Sequence, residues 1–196
     1  MRHHIRLADK SDAKALLKIY TPYIRYTAIS FETKIPTVAA FSRRIRDIGE
    51  QYPFLVYEID GEPVGYAYAT RFRDRAAYCY DAEVSIYLST QYQGGGFSLR
   101  LYNCLLDVLR ELGCYNVYAA CALPNAKSCG FHQKLGFNYV GTFRKTGYKF
   151  GKWHDVAWFE KAIHDHGEAP GELKSIREIS EEVLNSIFER YAEVED

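Results

Sequence analysis

Apolar residues along this chain switch between a period of two and a period near 3.6, which predicts strands alternating with helices. Residues 5–7 make a short strand, and after the candidate caps Asp9 and Ser11 the positions Ala13, Leu16, Leu17, Tyr20 and Ile24 recur at helical spacing. Pro36 and Thr37 open a second helix with Val38, Phe41, Ile45 and Ile48 on one face and Gly49 at its end. Residues 54–59 and 63–70 flank Asp60-Gly61, the dipeptide favoured in two-residue hairpin turns. Residues 80–88 alternate, with Ala82, Val84, Ile86 and Leu88 on one face and Asp81, Glu83, Ser85 and Tyr87 on the other, leaving the second face available for chemistry.

Downstream, Leu101, Leu105, Val108, Leu109 and Leu112 form a helical stripe stopped by Gly113. A strand at 115–121, a helix at 125–135 and strands at 137–144 and 155–161 complete the pattern. Residues 1–164 then form the body, and 165–196 a Gly/Pro-containing linker and an appended helix striped by Ile176, Ile179, Val183, Leu184, Ile187 and Tyr191. Its polar face lacks the basic bias of a membrane-surface helix, so packing on the body or on a partner is expected.

Composition narrows the partners. The 196 residues carry 25 basic and 25 acidic side chains, which provides no broad basic surface for a phosphate backbone, and 47% apolar residues, enough for one core. A small-molecule partner is expected; nucleic acid and membrane are not. No apolar run reaches the length of a membrane span and MRHHIRLADK lacks an apolar leader, so a cytoplasmic protein is expected. The 5 cysteines are odd in number and never form CxxC, and the pairs His3-His4 and His164/His166 lack companions at ligand spacing, so neither a disulfide framework nor a metal site is expected.

The stretch Gln93-Gly94-Gly95-Gly96-Phe97-Ser98-Leu99 joins a strand to a helix, gathering free backbone N–H groups at the positive helix end. Glycines there let a diphosphate approach the main chain, although such a run could also be a flexible connection. The stretch matches neither a Walker A loop nor a dinucleotide fingerprint. Asn125, Ser128 and His132, at i, i+3 and i+7, share one helix face, which is expected to look into a cleft. Arg75 has the planar fork that suits a carboxylate, or it simply balances Asp74 at the surface.

The order of elements, Gln-x-x-Gly-x-Ser before the central helix, and NAKSCGFHQKLGF at 125–137 resemble the GNAT superfamily of N-acetyltransferases. More narrowly, RYTAISFET, RAAYCYDAEVSIYL and GTFRKTGYKFGKWHDV resemble phosphinothricin acetyltransferase and its relatives, over about residues 5–162. The resemblance implies an α/β fold with a mixed, splayed central sheet flanked by helices, acetyl-CoA as cosubstrate, a small amino-acid-like amine as acceptor and a homodimer. It implies Glu83 as general base and His132 as the group assisting the departing thiolate. Cofactor contacts are implied for the main chain of Ile86, Tyr87 and Leu88, for the loop Gln93, Gly94, Gly95, Gly96, Phe97, Ser98 and Leu99, and for Asn125 and Ser128. Arg75 and Tyr78 would hold the acceptor's carboxylate, while Phe31 and Glu32 would shape its pocket. Gly94, Gly95 and Ser98 depart from the family's more usual loop residues. The alternatives are an acetyltransferase for a peptide N-terminus, a polyamine or an aminoglycoside, and a non-catalytic acyl-CoA-binding module.

Overall fold

The computed structural model describes residues 1–167 and 169–192. In chain order the elements are β1 (His3–Leu7), α1 (Ala13–Tyr26), α2 (Val38–Ile48), β2 (Phe54–Ile59), β3 (Glu62–Arg71), β4 (Asp81–Leu88), α3 (Phe97–Leu112), β5 (Asn116–Ala122), α4 (Ala126–Lys134), β6 (Asn138–Lys149), β7 (Lys152–Ala162) and α5 (Glu181–Ala192). The strands form one mixed sheet in the order β1-β2-β3-β4-β5-β7-β6.

Local chemistry places the turns where the sequence puts them. Asp60 and Gly61 have φ of 51° and 83°, the left-handed pair that a two-residue hairpin requires. Asp9 accepts from Ser11 N and Asp12 from Asp9 N at 2.8 Å, closing a turn before α1, and Thr37 caps α2 through Ala40 N at 3.1 Å. Strands β6 and β7 run beyond the expected 137–144 and 155–161, meeting at Phe150-Gly151 in a second left-handed turn. The buried positions of the added ladder are Gly147, Lys149 and His154, which give the sequence no apolar alternation to mark the strand.

Alternation in β2 sends Phe54 and Val56 to a core beneath α1 and α2, and Leu55 and Tyr57 to a larger core beneath α3. The C-terminal segment belongs to that larger core: Ile176, Leu184, Ile187 and Phe188 are buried in it, and α5 packs on α3 and β1. The expected stripe from Ile176 to Tyr191 is not one helix. A short 3-10 turn at Ile176–Glu178, closed by a Ser175–Glu178 capping box, precedes α5. Among the described residues no helix is long and apolar enough to cross a membrane.

The sheet is splayed at its centre. Strands β4 and β5 are parallel and pair only from Asp81↔Asn116 to Glu83↔Tyr118, after which they part. β4 remains paired to β3 as far as Leu88, and β5 to β7 along its whole length.

Candidate active site

Glu83 is the last residue of β4 to pair with β5, so it sits at the point where the strands fork. Its face of the sheet looks toward α1 and its following loop, across a cavity of about 510 Å³. Ser85 and Tyr87 from β4, Ala120 and Ala122 from β5, Val156 and Trp158 from β7, and Tyr20, Phe31 and Glu32 from α1 and its loop line this cavity with Glu83. Burial pushes the Glu83 carboxyl above its ordinary pKa, against the opposing pull of Arg73. A carboxylate less well solvated than in water is a stronger base.

Arg75 and Tyr78 do not line that cavity. They border a neighbouring one of about 600 Å³ with Arg71, Phe72, Arg73 and Asp74. Phe72 forms the wall between the two, stacked on Tyr118 at 4.0 Å and edge-on to Trp158 at 6.1 Å and Tyr78 at 6.2 Å. Glu83 lines the aromatic chamber, and of the three arginines in the neighbouring cavity Arg73 is the one whose charge acts on it.

The glycine loop opens α3 with an unencumbered end. Gly94 and Gly96 have φ of 91° and 81°, and a Cβ at either would meet nothing within 4 Å, while a Cβ at Gly95 would lie 2.4 Å from the Phe97 ring. Phe97 stacks on His3 at 5.7 Å and meets Tyr57 and Tyr92 edge-on, and Leu99 packs on the core. Their side chains anchor the helix, leaving the main chain at its start to face a ligand. Gly96 caps the helix with no side-chain bond, and Ser98 lies in its first turn.

Ser89 N donates to Val64 O on β3, so by alternation the main chain of Ile86 and Leu88 faces the gap between the strands, whereas that of Tyr87 pairs with β3. Tyr87 contributes its ring to the cavity instead. The Tyr23 hydroxyl, from α1, donates to Leu88 O, and accepts from Leu88 N at 3.3 Å and from Gln93 Nε2 at 3.0 Å. It thus joins β4 to the glycine loop.

Asn125 caps α4, accepting from Ser128 N at 3.2 Å, and borders a third cavity of about 390 Å³ that shares Ile29 and Ala122 with the Glu83 chamber. The face bearing Ser128 and His132 does not look into the Glu83 cavity; it packs down on β5 and α3. Ser128 Oγ lies 3.1 Å from Cys121 Sγ, and His132 is 5% exposed, stacked on Phe159. With Nδ1 2.8 Å from Ser128 O and Nε2 2.9 Å from Tyr102 OH, His132 donates through Nδ1 and accepts at Nε2. Burial pushes its pKa down, which favours this neutral ring. His132 and Glu83 therefore lie on opposite faces of the sheet.

The GYKFGKWHDV segment braces the chamber. Lys149 is buried and donates to Ser30 O at 2.5 Å, His154 Nε2 meets Lys149 O at 3.1 Å, and Asp155 accepts from Lys145 N at 2.8 Å. Tyr23, Arg73 and Trp158 take part in the site without having been distinguished in the sequence. Arg73 belongs to the same charge run as Arg75, but only the path of the chain after β3 decides which of them nears Glu83.

Known proteins share this architecture. Residues 5–158 match the family model described as "Acetyltransferase (GNAT) domain". A phosphinothricin N-acetyltransferase from Streptomyces viridochromogenes is 32% identical over 177 residues, covering 90% of this chain and 94% of that protein. An L-methionine sulfoximine/L-methionine sulfone acetyltransferase from Salmonella typhimurium is 32% identical, covering 83% and 95%. A phosphinothricin acetyltransferase from Sinorhizobium meliloti, solved in complex with acetyl-CoA, superposes with a TM-score of 0.83 at 31% identity, covering 88% of this chain and 95% of that one. Family match, length coverage and superposition agree, and the chain belongs to the GNAT acetyltransferase family.

Proposed function

We infer that this chain acetylates the primary amine of a small amino-acid-like molecule by direct transfer from acetyl-CoA, with Glu83 as general base. As a GNAT member it is an acetyl-CoA-dependent N-acetyltransferase. The acceptor class is taken from relatives named for phosphinothricin and for methionine sulfoximine or sulfone. The observation that carries it is the position of Glu83 at the strand fork, lining an aromatic chamber and within reach of the charge of Arg73.

The residues present fit the cosubstrate. The β4–β5 gap has main-chain groups turned into it, and the loop ahead of α3 has no Cβ at Gly94, Gly95 or Gly96 to keep a diphosphate from the N–H groups. Gln93 to Ser98 would hold that diphosphate through the main chain, with Leu99 anchoring the helix, and Ile86 would align the pantetheine arm beside Leu88, whose main chain Tyr23 already holds. Asn125, which borders the adjoining cavity, would shape its far wall, while Ser128 is engaged with Cys121. When bound, acetyl-CoA supplies an activated thioester acetyl group.

Glu83 takes the proton from the acceptor's ammonium, freeing the lone pair for attack. The Ile86 N–H, facing the gap, steadies charge developing on the carbonyl oxygen. Arg73 and Arg75, with Tyr78, receive the acceptor's carboxylate in forked hydrogen bonds. Phe31 and Glu32 close the chamber around its side chain. His132, its ring nitrogens already engaged, holds α4 against α3 and positions the thiolate's surroundings instead of reaching the acceptor. The arginines would repel polyamines and aminoglycosides.

The pairing of two copies is part of this proposal. Tyr139, Val140, Phe143, Tyr148, Phe150 and Trp153 are each more than half exposed on the edge strand β6 and its hairpin, and Phe143 also lines the chamber. A second copy covering this face would bury an aromatic surface that a monomer leaves wet. Free cysteines accord with a reducing cytoplasm.

The test is release of free CoA thiol from acetyl-CoA with phosphinothricin, methionine sulfone, methionine sulfoximine, common amino acids, a polyamine and a short peptide. Release confined to acceptors with an α-amino acid head, and abolished in Arg73→Ala/Arg75→Ala, supports the proposal. Release with polyamine or peptide alone overturns the acceptor class, and acetyl-CoA binding with no release from any acceptor favours a binding module.

A further inference from the structure

The wall of the chamber opposite Glu83 is unusually fixed. Glu32 is held by Arg44 at 2.8 Å and by the Tyr20 hydroxyl at 3.2 Å, and its own N–H donates to Ser30 Oγ at 3.2 Å. Phe31 lies across Gly147 so closely that a Cβ there would fall 2.2 Å from the ring, and Lys149 grips Ser30 O from the same strand. Contacts from α1, α2 and β6 thus hold one short loop, Ser30-Phe31-Glu32, against the chamber.

The chemistry of the surface an acceptor touches follows from the lining. Tyr20, Phe31, Tyr87, Phe143 and Trp158 are aromatic, the acidic side chains are Glu32 and Glu83, and among the described residues no lysine, arginine or histidine lines the chamber. Arg44 pairs with the Glu32 carboxylate and Lys149 with the Ser30 carbonyl, and neither borders the cavity. Cationic side chains line the neighbouring cavities instead: Arg71, Arg73 and Arg75 beyond Phe72, and Lys152 with His154 beyond Ala122.

We propose that Glu32 is a specificity-determining residue that selects acceptors with an uncharged side chain, of the methionine sulfone or aromatic amino-acid type, over acceptors with an anionic side chain such as phosphinothricin. This rests on the acetyltransferase function proposed above. With the α-carboxylate on the arginine side and the amine at Glu83, the side chain enters the aromatic chamber and ends toward Glu32. A sulfone or an aromatic ring is compatible with that wall, whereas a phosphinate sets like charge against a carboxylate that Arg44 and Tyr20 hold in place and only Arg44 offsets. Screened repulsion of this kind is worth about tenfold in relative kcat/KM.

The experiment measures kcat/KM for methionine sulfone and for phosphinothricin with wild type, Glu32→Gln and Arg44→Gln. Wild type should favour the sulfone by about tenfold or more. Glu32→Gln should narrow that ratio by raising phosphinothricin turnover through KM, and Arg44→Gln, which removes the neutralising partner, should widen it. A general disturbance of the loop would move both variants the same way, so opposite shifts separate charge from packing. Wild type preferring phosphinothricin, or a ratio unchanged in both variants, overturns the inference while leaving the acetyltransferase assignment intact. Failure to acetylate either compound, with activity on another amine class, overturns the assignment itself and this inference with it. Should Glu32→Gln not fold, the direction of the Arg44→Gln shift decides.

Discussion

Replacing Phe188 by Ala probes whether the C-terminal helix is part of the enzyme body. Leu184, Ile187 and Phe188 lie at i, i+3 and i+4 on α5 and are 5%, 5% and 6% exposed within the core that α3 dominates. The docking is reinforced at one acidic residue: Asp107 on α3 accepts from Arg190 at 3.1 Å and from Tyr191 at 2.5 Å, and also pairs with Arg110. Truncating a buried Phe to Ala costs about 3–5 kcal/mol, combining the lost transfer energy with the cavity left behind. Undocking the helix would sacrifice the burial of all three side chains, roughly 5–9 kcal/mol before the entropy regained, so local release does not greatly relieve the loss. At this chain length each kcal/mol lowers Tm by about 2–4 °C, giving an expected drop of about 6–20 °C. Urea unfolding followed by far-ultraviolet circular dichroism, with Tm measured in parallel, reads the effect. Val183→Ala on the same helix, at a position 37% exposed, is the control and should stay within about 0.5 kcal/mol of wild type. A Phe188→Ala loss no larger than the control's would refute the reasoning and make α5 a separate, peripheral unit.

Two further outcomes concern the site. Glu83 must be ionised to accept a proton, so kcat/KM should rise with pH through an acidic limb that burial places above the usual carboxylate range. Because Arg73 lowers that pKa, Arg73→Gln should move the limb to higher pH, and a limb that stays in place removes Glu83 from the rate profile. Gly96→Val forces a β-branched residue to φ near 81° at the mouth of α3. It should lower stability by about 1–2 kcal/mol and weaken acetyl-CoA binding in calorimetry, with kcat at saturation little changed; unchanged binding would place the diphosphate elsewhere.

Much of the frame was legible because its signals are local. Asp60-Gly61 requires positive φ, the Ala82–Leu88 alternation fixes which residues share a face with Glu83, and Gly113 ends α3 in the left-handed conformation. The glycine loop was visible for the same reason. What the sequence concealed depends on tertiary neighbours. Helical spacing correctly puts Asn125, Ser128 and His132 on one face, but says nothing of what that face meets, and the partners of His132 turn out to be Tyr102 and Ser128. The chamber is assembled from Tyr20, Glu32, Tyr87 and Trp158, which come from four separate segments. Arg73 and Arg75 are two residues apart in an irregular connection, and composition is blind to which one's charge reaches Glu83. The length of β6 was hidden because its buried end positions are Gly147 and Lys149, which produce no apolar alternation.

The central claim is that acetyl transfer proceeds from Glu83 at the strand fork, separably from cosubstrate binding. Glu83→Gln, measured for acetyl-CoA affinity by calorimetry and for thiol release with methionine sulfone, tests it directly. The account predicts affinity within about twofold of wild type and kcat reduced by about 10²–10⁴. Turnover within about tenfold of wild type, with binding intact, would contradict it.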